Sequence, residues 1–277
     1  LNILDKFKEY IEKERNYSPN TVESYMSDLK QFFSVVTKDY KDISIQDISN
    51  YISKLKEKGF SAATTNRKLA AIKSFFKFLL KNGIINTNPA ELIESGKLEK
   101  RLPRPLEKNE INKISNTTEN FRDKAIIETL YGAGLRRSEL ISLKKSDINW
   151  EKGTLRIHGK GRKDRIVPIN KFALSLLKRY CDSHSSEWVF PSVKNKNNHI
   201  SARRLNEIIQ YYAQKSGVRG ATPHKFRHSF GTHLYENGID SKVLQDLMGH
   251  ESINTTSIYA KVSIDRNLSE YNKYFNR

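Results

Sequence analysis

His224, Lys225, Arg227, His228 and His233 fall within eleven residues, "HKFRHSFGTHL" (224–234), beside Phe226, Phe230 and Leu234. Three kinds of chemistry suit such a segment: a metal site, a pH-sensitive surface, or a grip on a phosphate. A zinc reading needs His224 and His228 as an i, i+4 pair. Arg227 stands between them, however, and Lys225 occupies the glutamate position of H-E-x-x-H. A dication beside fixed positive charge is unfavourable, so no metal is expected. His224 and Arg227, at i, i+3, share a helix face and can converge on one anion. Phe226, Phe230 and Leu234, at i, i+4, i+8, face a core, and structural roles suit His228 and His233. On charge alone the phosphate is favoured.

Three other stretches carry comparable residues. In "YGAGLRRSELISL" (131–143), Gly132 and Gly134 are expected to break a helix and Arg136 to open the next. Its guanidinium and the backbone N–H groups would then point the same way, toward an anion. Glu139, one turn on, would hold the arginine in place, although a helix start with surface charges also fits. "HGKGRKDR" (158–165) sets Lys160 between two glycines, which let a backbone approach a ligand closely. A solvated turn lysine fits as well, and the spacing is not that of a Walker A loop. "LMGHESINTTSIYAKV" (247–262) ends a helix at Gly249 and presents His250. Nine residues later comes Tyr259, which by itself reads as a packing residue.

Hydrophobic periodicity supplies the scaffold for these segments, mainly α-helical with a small β-sheet. Residues 1–95 read as helices only, a small bundle in which Leu69, Ile72, Phe76, Leu79 and Leu80 share one helix face. Lys73, Lys77 and Lys81 line another, as in a solvated helix face or one touching a nucleic-acid backbone. Residues 96–106 form a basic linker stiffened by Pro103 and Pro105, and Arg101 and Arg104 suit either a strap across nucleic acid or an ordinary exposed linker. Residues 107–277 are mixed. Helices are expected at about 107–116 and 121–132, through "RRSELISL", and at about 171–182, 201–216, 223–237 and 241–248. Between them "INWEKGTLRIHGKGRKDRIVPIN" reads as a hairpin, with Leu155/Ile157 and Ile166/Ile169 alternating. The tail over 254–275 is expected to be helical.

The formal net charge is +18 and the pI ≈ 9.7. Up to residue 95 there are 15 Lys and Arg against 12 Asp and Glu; beyond it, 34 against 19. That excess on the second part favours a polyanion, most simply nucleic acid. Mean hydropathy is -0.67, and no run approaches the ~20 apolar residues of a membrane span. The opening residues lack a secretory leader pattern and Cys181 is the single cysteine, so a cytoplasmic, nucleoid-associated protein is expected.

In their order and separations, "GLRRSEL", "GKGRKDR", "HKFRHSFGTHL" and "LMGHESINTTSIYA" resemble the tyrosine recombinases, above all the Xer branch, which resolves chromosome dimers in bacteria and archaea. "YSPNTVESYMSDLKQF" is similar to that family's core-binding domain, and the likeness covers nearly the whole chain. The departures are Phe226 where leucine is frequent, Gly231 where alanine is common, and Lys261 where histidine often stands. None removes a reacting group.

The resemblance implies an N-terminal helical core-binding bundle and an α+β catalytic domain with a C-terminal exchange tail. It places the catalytic set on Arg136, Lys160, His224, Arg227, His250 and Tyr259. Tyr259 would attack a DNA phosphodiester to give a 3′-phosphotyrosine and a free 5′-hydroxyl, with Arg136 and Arg227 neutralising the nonbridging oxygens. His224 would act as base or proton relay, His250 as a donor to the phosphate, and Lys160 as general acid. Neither ATP nor a metal would be needed, so no cofactor is expected. The implied partners are double-stranded DNA with an inverted-repeat, dif-like site, four protomers acting on two sites, and a paralogue or DNA translocase; no membrane is implied. Rival readings are a type IB topoisomerase, a phage or transposon integrase, and a silent DNA-binding relative. A DDE transposase would need a carboxylate cluster that the sequence does not present.

Overall fold

Ser18, Ser44 and Ser61 each stand just before a run of helical periodicity, and each caps a helix in the computed structural model. The structure describes residues 2–96, 104–159, 164–249 and 268–275. The chain divides into two compact units between Arg101 and Leu102.

In the first unit, α1 (Ile3–Glu9) runs on as a π-helical turn, Tyr10–Glu14. Then come α2 (Pro19–Val35), with Pro19 in its first turn, α3 (Ile45–Glu57) and α4 (Ala62–Lys81). Gly59, with φ 77, follows the end of α3 and turns the chain where a side chain would be strained. The core forms around Phe7, Leu29, Phe32, Ile48, Ile72 and Phe75. The apolar face of α4 is wider than its period suggests. Phe75 and Phe78 are buried because aromatic rings from α1 and α2 edge onto them, whereas Leu80 is exposed. A buried ion pair, Lys68 Nζ to Asp28 Oδ1 at 3.0 Å, joins α4 to α2.

The second unit begins with α5 (Lys108–Thr117), α6 (Phe121–Ala133) and α7 (Arg137–Ile141). Three short strands follow: β1 (Ile148–Asn149), β2 (Thr154–Ile157) and β3 (Arg165–Pro168). Then come α8 (Lys171–Asp182), α9 (Ala202–Lys215), α10 (Pro223–Glu236), α11 (Ser241–Met248) and a helical stretch over 268–274. Helix α6 is buried from Ala125 to Ala133 and packs against α8 and α10. Gly132 does not break it, contrary to the expectation from sequence. A β-carbon there would come within 2.5 Å of Asn170 Nδ2 and 3.2 Å of Ala173 Cβ, so the glycine lets α8 approach. Gly134 alone ends the helix, with φ 60.

The described strands form one antiparallel sheet in the order β1-β2-β3. Leu155 pairs with Val167 and Ile157 with Arg165. Directly paired residues share a face, so Leu155, Ile157 and Val167 are buried, while Ile166, paired with Arg156, is exposed. The expected Ile166/Ile169 face is therefore corrected: β3 presents Val167 and Arg165 inward. The stretch over 268–274 lies against its own unit, with Tyr271 buried and its hydroxyl donating to the Gly132 carbonyl at 2.5 Å. The remainder of the expected tail helix, 254–267, lies outside the described residues. No described helix is long and apolar enough to cross a membrane.

Candidate active site

Past the left-handed turn at Gly134, Arg136 sits extended at the cap of α7. Glu139, three residues on, accepts from the Arg136 backbone N–H at 2.7 Å and from its Nη1 at 2.9 Å. Both bonds end on the Glu139 carboxylate, which is the glutamate half of a capping box, since a guanidinium has no acceptor to offer in return. Together they fix where the guanidinium can point.

Two more guanidiniums reach the same carboxylate. Arg165 faces inward from β3 and grips Glu139 in two parallel bonds, Nη1 to Oε1 at 2.8 Å and Nη2 to Oε2 at 2.9 Å. Arg227, buried on α10, places Nη1 3.9 Å from Glu139 Oε2 and donates to the Gly134 carbonyl at 2.5 Å. The Glu139 side chain is only 7% exposed. Burial alone would raise its carboxyl, but Arg165, and after it Arg136, outweigh that and hold it down at about 2. The Arg227 guanidinium is lowered to about 10, by burial first and then by Arg136, so it is cationic at neutral pH.

The same three side chains cap the end of α11. Arg165 Nε donates to the Leu247 carbonyl at 3.2 Å, Arg227 Nη2 to that of Met248, and Arg136 Nη2 to that of Gly249 at 2.6 Å. A helix C-terminus carries partial negative charge, and here it is neutralised by guanidiniums. Gly249 is required: its φ is 58, and a β-carbon would lie 3.0 Å from Arg165 Nε and Cζ. Three fixed positive charges around one carboxylate leave an excess suited to an anion, with Arg136 the most open of the three, its side chain 37% exposed.

His224 lies in the first turn of α10, which Thr222 caps by accepting the Lys225 backbone N–H at 3.1 Å. It is exposed and borders a cleft of about 240 Å³ with Arg137, Asn206 and Gln210. Phe226, Phe230 and Leu234 are buried. His233 is buried too, its Nδ1 2.9 Å from the Tyr131 hydroxyl. Lys160, His250, Tyr259 and Arg101 lie outside the described residues. His158, just past β2, has carboxylates on both ring nitrogens: Nε2 meets Asp147 Oδ1 at 3.0 Å, and Nδ1 meets Oδ2 of Asp164, just before β3, at 3.1 Å.

Of the residues expected to touch a nucleic-acid backbone, Lys77 is exposed, and Lys73 is half-buried with its Nζ 3.4 Å from the Glu91 carbonyl. Arg104 is exposed and paired with Glu107. Among the described residues no group of three or more His, Cys, Asp or Glu is placed to hold a metal. Arg165 is the site residue that the sequence reading passed over. Its signal was there: it alternates with Val167, placing a charge on the buried face of a strand.

Comparison with known proteins extends the geometry. Residues 104–266 match the model of the phage integrase family, and residues 4–83 match the phage integrase N-terminal SAM-like domain. The chain is 38% identical to the tyrosine recombinase XerA of Pyrococcus horikoshii, covering 95% of this chain and 90% of that one. It is 37% identical to the tyrosine recombinase XerC of Pelobacter propionicus, over 96% and 93%. Among solved structures, it is similar to a XerA recombinase (26% identity, all of both chains, TM-score 0.51). It also shares the fold of a lambda integrase tetramer bound to a Holliday junction (23% identity, 92% of this chain and 79% of that one, TM-score 0.75).

Proposed function

This chain belongs to the phage integrase family of tyrosine recombinases, and on that premise we propose that it resolves chromosome dimers by cutting and rejoining DNA at a dif-like inverted repeat. As a tyrosine-type site-specific DNA recombinase it needs a cationic cradle for one phosphate. The observation that carries the reading is the convergence of Arg136 and Arg227, from α7 and α10, on Glu139 and on adjacent carbonyls of α11.

The proposed chemistry conserves bonds. The Tyr259 phenolic oxygen attacks phosphorus, the phosphorus–5′-oxygen bond breaks, and a 3′-phosphotyrosine and a 5′-hydroxyl result. Arg136 and Arg227 bind the nonbridging oxygens as charge builds on them, and each such preorganised donor contributes on the order of 3 kcal/mol. Phenol has a reference pKa of about 10, so His224 takes its proton, directly or through water. Lys160, which falls between β2 and β3 in sequence, gives a proton to the departing oxygen, and His250, next after Gly249, donates to the phosphate. Attack by the 5′-hydroxyl of a partner strand reverses the step and joins new ends. Residues 1–95 act as the core-binding domain, with Lys73, Lys77, Arg101 and Arg104 on the DNA backbone, and 96–106 as the linker. Residues 107–277 act as the catalytic domain. Four protomers act on two sites, their C-terminal tails exchanged, with a paralogue or translocase as an activating partner.

Covalent trapping tests this. The protein is incubated with sheared genomic DNA in EDTA, denatured in detergent, and the linked fragments are sequenced beside Tyr259→Phe. Adducts at one short inverted repeat, lost in the variant, are expected. Scattered adducts would indicate a topoisomerase, adducts at the ends of a mobile element an integrase, and none, on nicked substrates as well, a silent binder.

A further inference from the structure

Arg165 is the guanidinium the chemistry above does not use, yet it makes the most complete contact with Glu139. Both its terminal nitrogens bond the carboxylate, at 2.8 and 2.9 Å, and its Nε reaches the Leu247 carbonyl at 3.2 Å. Its side chain is 15% exposed, and a β-carbon at Gly249 would lie 3.0 Å from its Nε and Cζ, so the glycine leaves room for the guanidinium. Through these bonds one side chain on β3 touches two things at once: the partner of Arg136 and the end of α11.

We propose that Arg165 is a positioning residue for DNA cleavage: by occupying both oxygens of Glu139 it keeps that carboxylate from drawing Arg136 and Arg227 away from the phosphate. The inference rests on the recombinase reading above. Its logic is charge competition. Glu139 is buried, so its lone pairs demand donors. With Arg165 present, Arg136 gives Glu139 only one of its terminal nitrogens, Nη1, and Arg227 stays 3.9 Å off. Remove Arg165, and the carboxylate has two vacated acceptor sites with two guanidiniums beside it. Both would close on it, turning away from the phosphate, and the positive excess would fall by one charge. A shift of about 1 Å in such groups costs on the order of 100-fold in rate.

Single-turnover cleavage of a nicked suicide substrate separates this role from plain support of the hairpin. Arg165→Gln is expected to bind its site with near-unchanged affinity and to cleave about 100-fold more slowly. The double variant Arg165→Gln with Glu139→Gln removes the competing charge as well, and is expected to recover about tenfold of that loss. Arg165→Lys, which keeps the charge but not the paired grip, should fall between wild type and Arg165→Gln. A double variant as slow as Arg165→Gln, or slower, would overturn the proposal, as would an Arg165→Gln enzyme cleaving at the wild-type rate. If Arg165→Gln does not fold, judged by its melting curve, Arg165→Lys alone and with Glu139→Gln gives the same comparison. Failure of the wild-type protein to form any adduct would instead strike the recombinase reading itself.

Discussion

The Phe230 ring lies so close to Gly134 that a β-carbon at position 134 would come within 2.3 Å of its Cδ1. The same glycine offers its carbonyl to Arg227 at 2.5 Å. One residue thus seats a core ring on one side and the buried Arg227 guanidinium on the other. Gly134→Ala should therefore be worse than the loss of a left-handed glycine alone. Strain at φ 60 and overpacking together come to about 3 kcal/mol. Urea unfolding should show that loss, with cleavage reduced further in the protein that remains folded. A midpoint equal to wild type would refute the contact.

Arg227→Ala and Arg136→Ala should differ in stability although both slow cleavage by about 100-fold or more. Arg227 is buried and bonds carbonyls on two segments, so its loss leaves the Gly134 and Met248 carbonyls unpartnered in the interior. Arg136 is more open, and its loss should lower the melting temperature less. Equal melting temperatures for the two variants would contradict the burial difference.

The His158 bridge makes the β2–β3 pair sensitive to pH. Both ring nitrogens face carboxylates, Asp147 and Asp164, and these hold the imidazole pKa above its ordinary value. A raised folded-state pKa stabilises fully below the unfolded value of about 6.5 and is lost as pH rises through the folded one. The melting-temperature difference between wild type and His158→Gln should thus be larger at pH 5.5 than at pH 8.5. A difference that is flat across that window would remove the bridge from the account.

The stretch over 268–274 packs on its own unit, and Tyr271 is its anchor, stacked on Phe275 with ring centroids 4.9 Å apart. Tyr271→Ala should lower stability by about 3 kcal/mol, as truncation of a buried aromatic does. An exchanged tail would set Tyr271 against Gly132 of a neighbouring protomer in place of its own. Deleting residues 264–277, in protein that remains folded by its melting curve, should therefore impair recombination more than binding to a single site. Equal loss of both, or loss of neither, would speak against an exchanged tail.

Much of this was legible in the residues themselves. Helices read from hydrophobic periodicity at about 171–182, 201–216 and 223–237 agree with α8, α9 and α10 to within a residue or so, because the apolar stripe and the local caps Asn170, Ser201 and Thr222 act on neighbouring backbone groups. The motif residues Arg136, His224 and Arg227 were legible for a similar reason, since i, i+3 spacing on a helix is a statement about one face. The match to the recombinases was carried by four motifs in order, which needs no coordinates.

What the tertiary structure decided was contact across long separations. Arg165 and Glu139 stand 26 residues apart, and Arg227 and Gly134 stand 93 apart. Nothing in local periodicity relates such pairs. The register of β2 on β3 made the difference at Arg165: a strand has two faces, and the apolar Ile166 and Ile169 suggested the wrong one, because residues three apart cannot share a face. Pairing Ile157 with Arg165 turned the arginine inward. Gly132, likewise, looked like a helix breaker and proved to be a helix-packing contact, because what it meets is the start of α8, at Asn170 and Ala173, far along the chain. Sequence by itself determined which groups the chain carries and the local backbone that presents them. Which of those charges share one buried carboxylate was decided only by packing, since burial is what makes a neighbour's charge matter.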